Sequence, residues 1–327
     1  MSKFLSPLIA AGALLALPFL GAAPALAGSP VTFVSGKGAD SGTCASPATP
    51  CRTFQFALDQ TSPGGEIKAL DPADYGPVTI TNSISITGVE GASINRPSGN
   101  HITINAGPND TINLSHLTLD GLKTAPRGII LHTGGPLTVT HCTVRNFTSI
   151  GIAVFPRGNT AFLIADTAVS DNSGASGIVV IPQGTGTAQG TLDHVSADKN
   201  DNGIFVAGPS TVLAVDSTAT NNRNLGFFGS PSAVLRLSHS AAMGNGLDVI
   251  VQGRAESASN NFVRGNSTRF KAPPMSAPNE NLRPSSSTVL REASHVVAHF
   301  PARRRRTGEH TTPLRSRVGF VRGASRK

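Results

Sequence analysis

The sequence predicts an all-β chain wound as a parallel β-helix. Three observations predict it. The 327 residues include 35 Gly and 23 Pro but no Trp and one Tyr, a composition of many turns. From about residue 76 a short segment recurs as "NSISITGVEG", "INLSHLTLDG", "LTVTHCTVRN", "FLIADTAVSDN", "GTLDHVSADKN", "LAVDSTATNN" and "RLSHSAAMGN". After each later copy a second motif follows: Gly128-Ile-Ile-Leu, Gly151-Ile-Ala-Val, Gly177-Ile-Val-Val, Gly203-Ile-Phe-Val and Gly226-Phe-Phe.

Aligned, the repeats put Gly88, His116, His141, Asp166, His194, Asp216 and His239 in one column, at separations of 28, 25, 25, 28, 22 and 23. Two residues earlier stands an apolar column of Ile86, Leu114, Val139, Ile164, Leu192, Ala214 and Leu237. Between the two recurring segments lies a polar turn with Asn, at Asn146, Asn172, Asn200, Asn222 and Asn245. A unit of this length holds two or three short strands and no helix. Alone it cannot bury its apolar face, but stacked units bury a continuous column and pair every strand with the next coil. A β-propeller needs about 40 residues per blade, nearly twice this period.

The elements follow in chain order. Lys3, the apolar run Phe4 to Leu20 and "APALA" at residues 23 to 27 read as a cleaved signal peptide over residues 1–27. Retention as an anchor is the alternative, but Pro18 and Pro24 interrupt the run and no second apolar segment of spanning length follows. Export implies an oxidising compartment, so Cys44 and Cys51 are expected to form a disulfide that closes a small loop. Cys142 is left over, and its reading is a small apolar core side chain. The β-helix domain is expected over residues 28–270 and a basic tail without a core over 271–327.

Charge divides unevenly. Residues 271–327 carry 12 Lys and Arg against 3 Asp and Glu, whereas residues 1–270 carry 15 against 16. The body is neutral, so the total of +8 does not argue for nucleic acid as its partner. Within the tail, Val289, Ala293, Val296, Val297 and Phe300 fall at helical spacing before the run Arg303 to Arg306. A helix over the last coil, a binder of anionic surfaces and a segment without a role all fit that pattern.

The opening "TFVSGKGADSGTCASPATPCRTFQFALDQTSPGGEI" and the "VTHCTVRN"-type coils resemble exported right-handed parallel β-helix proteins of the pectate-lyase-like superfamily, over residues 31 to about 265. The resemblance implies right-handed winding and a short helix capping the first coil. "TFQFALDQ", with Phe54, Ala57 and Leu58 at helical spacing, fits that cap. It also implies that catalysis, where present, uses outward-facing carboxylates, sometimes with Arg or Lys and Ca²⁺.

In the glycine motifs, inward Ile129 and Leu131 make Ile130 outward. Its equivalents are Thr103, Ala153, Val179, Phe205 and Phe228, an apolar face that argues against an enzyme. Val179, Phe205 and Phe228 suit a partner, a loop of the same chain or a sugar. Near the Asn turns Arg145, Asp171, Asp198 and Asp201 occupy successive coils about 4.8 Å apart. The three aspartates are solvated turn residues or, alternatively, ligands for Ca²⁺.

The column that contains His141 alternates Gly, His and Asp, the residues that accept a left-handed turn, so four of the nine histidines are turn residues before they are anything else. No Gly-x-Ser-x-Gly, phosphate loop, His-Glu-x-x-His or Cys-x-x-Cys occurs. The expected function is a non-catalytic exported β-helix, in the periplasm, on the surface or secreted, that binds polysaccharide or another envelope component. The alternative is a polysaccharide lyase, epimerase or hydrolase acting on acidic glycans, which rests on fold analogy.

Overall fold

The structure is a computed structural model that describes residues 28–257 and 260–264. The expected signal peptide and basic tail lie outside the described residues. Strands from Ser29–Val34 to Phe262–Arg264 wind through about seven turns and build three parallel sheets of ten, nine and eight strands. Each coil visits them in that order.

Alternation decides what each strand buries. In the ten-stranded sheet Ile86, Leu114, Val139, Ile164, Leu192, Ala214 and Leu237 pair in one unbroken register, and all are buried. The glycine motifs form the eight-stranded sheet, where Ile129, Ile152, Ile178, Ile204, Phe227 and Val249 stack inward. Strand pairing and the core are thus one device: each coil buries its apolar column only because the next coil covers the sheet edge.

Corners between the ten- and nine-stranded sheets need a left-handed residue. His116, His141, Asp166, His194, Asp216 and His239 have φ between 47° and 57°. Gly88 shares their column for a different reason, since a Cβ there would lie 2.1 Å from the His116 carbonyl oxygen. The next position faces inward, where Leu117, Cys142, Thr167, Val195, Ser217 and Ser240 are all buried. Cys142 is a free thiol within this column.

The second corner, between the nine- and eight-stranded sheets, carries an internal amide ladder. Asn172, Asn200, Asn222 and Asn245 are buried one above another. Each Oδ1 accepts the backbone N–H of the residue one coil earlier, at 3.0, 3.1, 2.9 and 2.9 Å from Phe147, Asn172, Asn200 and Asn222. Asn146 is not a rung of this ladder. It occupies the left-handed position beside it, with φ 62°, and buried Phe147 stands where the next asparagine would be. A phenyl ring cannot continue an amide ladder, so the network stops there and Phe147 packs edge-on to His101, ring centroids 4.7 Å apart.

At the start of the chain Phe54–Gln60 forms the expected helix, burying Phe54, Ala57 and Leu58. Thr53 caps it by accepting the Phe56 N–H at 3.2 Å. Asp40 holds the cap in turn, accepting from the Arg52 and Thr53 amides and the Thr53 hydroxyl at 2.8, 2.9 and 2.9 Å. Cys44 and Cys51 form a disulfide with Cα atoms 5.3 Å apart, and both join the core.

Candidate functional site

The interior is filled by side chains, so any ligand meets the outer faces or the turns. On the eight-stranded sheet the outward column runs Thr79, Thr103, Ile130, Ala153, Val179, Phe205, Phe228 and Ile250 in one register. This is the row expected from alternation. Its middle is not open to solvent. Ile130, Ala153 and Val179 are 2, 0 and 4% exposed, and they form a second apolar cluster with Ile150, Phe155, Ala175, Ile181 and Phe205. Val179 therefore serves packing, and Phe205 and Phe228 are the half-buried members left for contact.

Their rings lie 4.4 Å apart with planes 17° from parallel. Coplanar rings cannot approach so closely, so the faces are turned on each other along the stack and the edges point outward. The exposed surface is an apolar strip of ring edges.

Charge appears on the nine-stranded sheet instead, where Asp120, Arg145, Ser170, Asp198, Thr220 and Met243 share an outward column. Arg145 Nε donates to Asp120 Oδ2 at 2.9 Å, while Asp120 Oδ1 accepts from Asn146 Nδ2 and the Leu122 N–H. Burial raises the Asp120 pKa, but these donors outweigh it and hold the carboxyl below the usual carboxylate range. Asp120 was not singled out in the sequence, although it occupies in "LTLDG" the position that Arg145 holds one repeat later.

Asp198 has its own partners: Lys199 Nζ at 2.8 Å, and Thr220 Oγ1 and Asn221 Nδ2, each at 2.9 Å. Burial again opposes ionisation and the hydrogen bonds again prevail, leaving its pKa lowered. The expected grouping of Asp171, Asp198 and Asp201 is changed by the register. Asp198 pairs with Ser170, whereas exposed Asp171 takes the left-handed position of the next column. Asp201 lies beyond the amide ladder, accepting the Gly174 N–H at 2.8 Å and facing Arg223 at 4.0 Å. The three carboxylates belong to three columns, and Asp198 and Asp201 turn to different partners. Spacing along the chain could not show this, because a shift of one residue at a corner changes the column.

Three faces, a glycine-motif sheet and two left-handed corners per coil define a class, and residues 127–269 match the family described as "Right handed beta helix region". The chain folds as a right-handed parallel β-helix, the fold that it shares with a pectate lyase. Among solved structures it is similar to the crystal structure of pectate lyase Pel9A, with a TM-score of 0.54 and 15% identity over 76% of this chain and 81% of that one. At that identity the likeness establishes the fold alone. No curated protein matches the chain. Among the described residues no helix is long and apolar enough to cross a membrane.

Proposed function

We propose that the protein is an exported, non-catalytic β-helix that binds polysaccharide or another cell-envelope component. The observation that carries this reading is the outward column of the eight-stranded sheet. Between Thr103 and Ile250 it consists of buried Ile130, Ala153 and Val179 and half-buried Phe205 and Phe228, and none of these side chains can take or give a proton. Asp120 with Arg145 and Asp198 with Lys199 are engaged with each other on a different face. Similarity to a pectate lyase supports a carbohydrate as the ligand class, and the Cys44–Cys51 bridge suits an oxidising compartment.

In this reading the edges of Phe205 and Phe228 supply apolar contact, and Arg145, about half exposed, supplies hydrogen-bond donors at a separate place. Ca²⁺ enters only through Asp171, Asp198 or Asp201, and a Ca²⁺-dependent rise in Tm that is lost in Asp198→Ala would place it there. Affinity electrophoresis against pectin, alginate and bacterial exopolysaccharides tests binding, with unsaturated uronides and reducing ends measured on the same samples. Retardation by one glycan, lost in Phe205→Ala/Phe228→Ala and without turnover, is the expected result. Turnover abolished by Arg145→Ala or Asp171→Ala would establish the lyase, epimerase or hydrolase alternative.

A further inference from the structure

The corner between the ten- and nine-stranded sheets forms an exposed ridge on which His116, His141, Asp166, His194, Asp216 and His239 follow one another coil by coil. Left-handed backbone at each position, with φ 52° at His194 and 48° at Asp216, aims these side chains outward in the same sense. Parallel pairing fixes their spacing: the His194 N–H donates to the Val215 carbonyl and the Asp216 N–H to the Ser238 carbonyl, at 3.2 and 3.1 Å.

At one place on the ridge the donors converge. One ligand atom each from Asp193, His194 and Asp216 lies within 4.8 Å of the other two, and among the described residues this is the one group of three such donors. Asp193 comes from the end of the strand Thr187–Asp193, and its Oδ1 lies 2.7 Å from His194 Nδ1. An imidazole beside two carboxylates on an exposed corner makes a negatively charged site with one nitrogen donor. Imidazole favours ions of the zinc kind over Ca²⁺, which takes oxygen.

We propose that Asp193, His194 and Asp216 form a binding site for a divalent transition-metal ion on this ridge. At bonds of about 2.0–2.2 Å, tetrahedral donors stand roughly 3.4 Å apart, so these exposed side chains close on the ion by moving about an ångström. Binding uses the neutral imidazole and displaces any proton from the coordinating nitrogen. Three protein donors leave a fourth position open to water or to an oxygen of a bound molecule.

Calorimetric titration of the full chain with Zn²⁺ tests the site. His194→Asn and Asp216→Asn are the variants, because Asn accepts the left-handed backbone that both positions require. Asp193→Ser, at the end of a strand, changes a ligand without touching the corner. The expected result is a binding event weakened roughly tenfold or more in each variant, since even indirect supporting residues cost that much, and kept in His141→Asn and in excess Ca²⁺. Three results would overturn the proposal: no Zn²⁺ binding, an isotherm unchanged in all three variants, or one abolished by His141→Asn.

Discussion

Asn172 Nδ2 donates to Asn200 Oδ1 at 2.8 Å, and the same oxygen accepts the Asn172 backbone N–H at 3.1 Å. Asn200 Nδ2 in turn reaches the Val169 carbonyl at 3.0 Å and Asn222 Oδ1 at 3.2 Å. The pair satisfies a corner that is buried from solvent on every coil. Asn200→Ala removes all four bonds at once and leaves the backbone and side-chain donors of Asn172 unpaired, while Asn222 Oδ1 keeps the Asn200 backbone N–H. With each buried unpaired group costing about 1–3 kcal/mol, the variant is expected to lose at least about 2 kcal/mol. Urea unfolding followed by circular dichroism checks this, and a loss below about 1 kcal/mol would mean that water replaces the side chain.

His141 tests the first corner. Its φ of 54° is a position where a branched residue is strained by about 1–2 kcal/mol and glycine is not. The His141–Asp166 contact is 3.6 Å between two half-exposed side chains, so it contributes little. His141→Gly is therefore expected to keep stability within about 1 kcal/mol, and His141→Val to lose about 1–2 kcal/mol. Equal melting temperatures for the two variants would contradict the turn account.

The remaining thiol gives a chemical test. Burial pushes the Cys142 pKa from 9.0 up to about 11. The folded state therefore disfavours the thiolate, and Cys142 is expected to resist iodoacetamide at pH 8 and to react once the chain is unfolded in guanidinium. The linked stability runs the same way. The unfolded thiol ionises first as pH rises, so this contribution is present below pH 9 and is lost between 9 and about 11. Fast labelling of native protein would place Cys142 outside the core.

His101 sets the acid side. It is fully buried, its Nε2 lies 3.1 Å from the Arg96 carbonyl, and its Nδ1 has no hydrogen-bond partner. Burial lowers its pKa from 6.5, against the hydrogen bond to the Arg96 carbonyl and the pull of Asp74 and Asp120, with the Arg96 charge adding a smaller push in the direction of burial. A histidine with a depressed folded pKa is protonated first in the unfolded chain. Its contribution is thus complete above about pH 6.5 and falls as pH drops below it. Tm measured from pH 7 to pH 5 should decline less in His101→Gln than in the parent protein, and identical slopes would exclude His101 as the source.

Much of the fold was legible because solenoid constraints are local and repeat. The inward column from Ile86 to Leu237, the outward column from Thr103 to Phe228 and the left-handed role of His141 each follow from period-two alternation or corner sterics, and each appears in the structure. The candidate site was legible only in part. Asn146 looks like a member of the amide ladder until the register shows Phe147 in its place, and Asp171, Asp198 and Asp201 look stacked until the corner separates their columns.

What the sequence determined by itself is therefore the winding: a repeat of apolar, turn and glycine positions has only one way to bury its core, by stacking on its neighbour. What the tertiary structure alone decided is which polar groups meet. Arg145 finds Asp120 a coil away, Val179 is shut off from solvent, and Asp193 joins His194 and Asp216 across two coils. Such meetings depend on a corner's register, where one residue more or less moves a side chain to another column, and no spacing along the chain records that step.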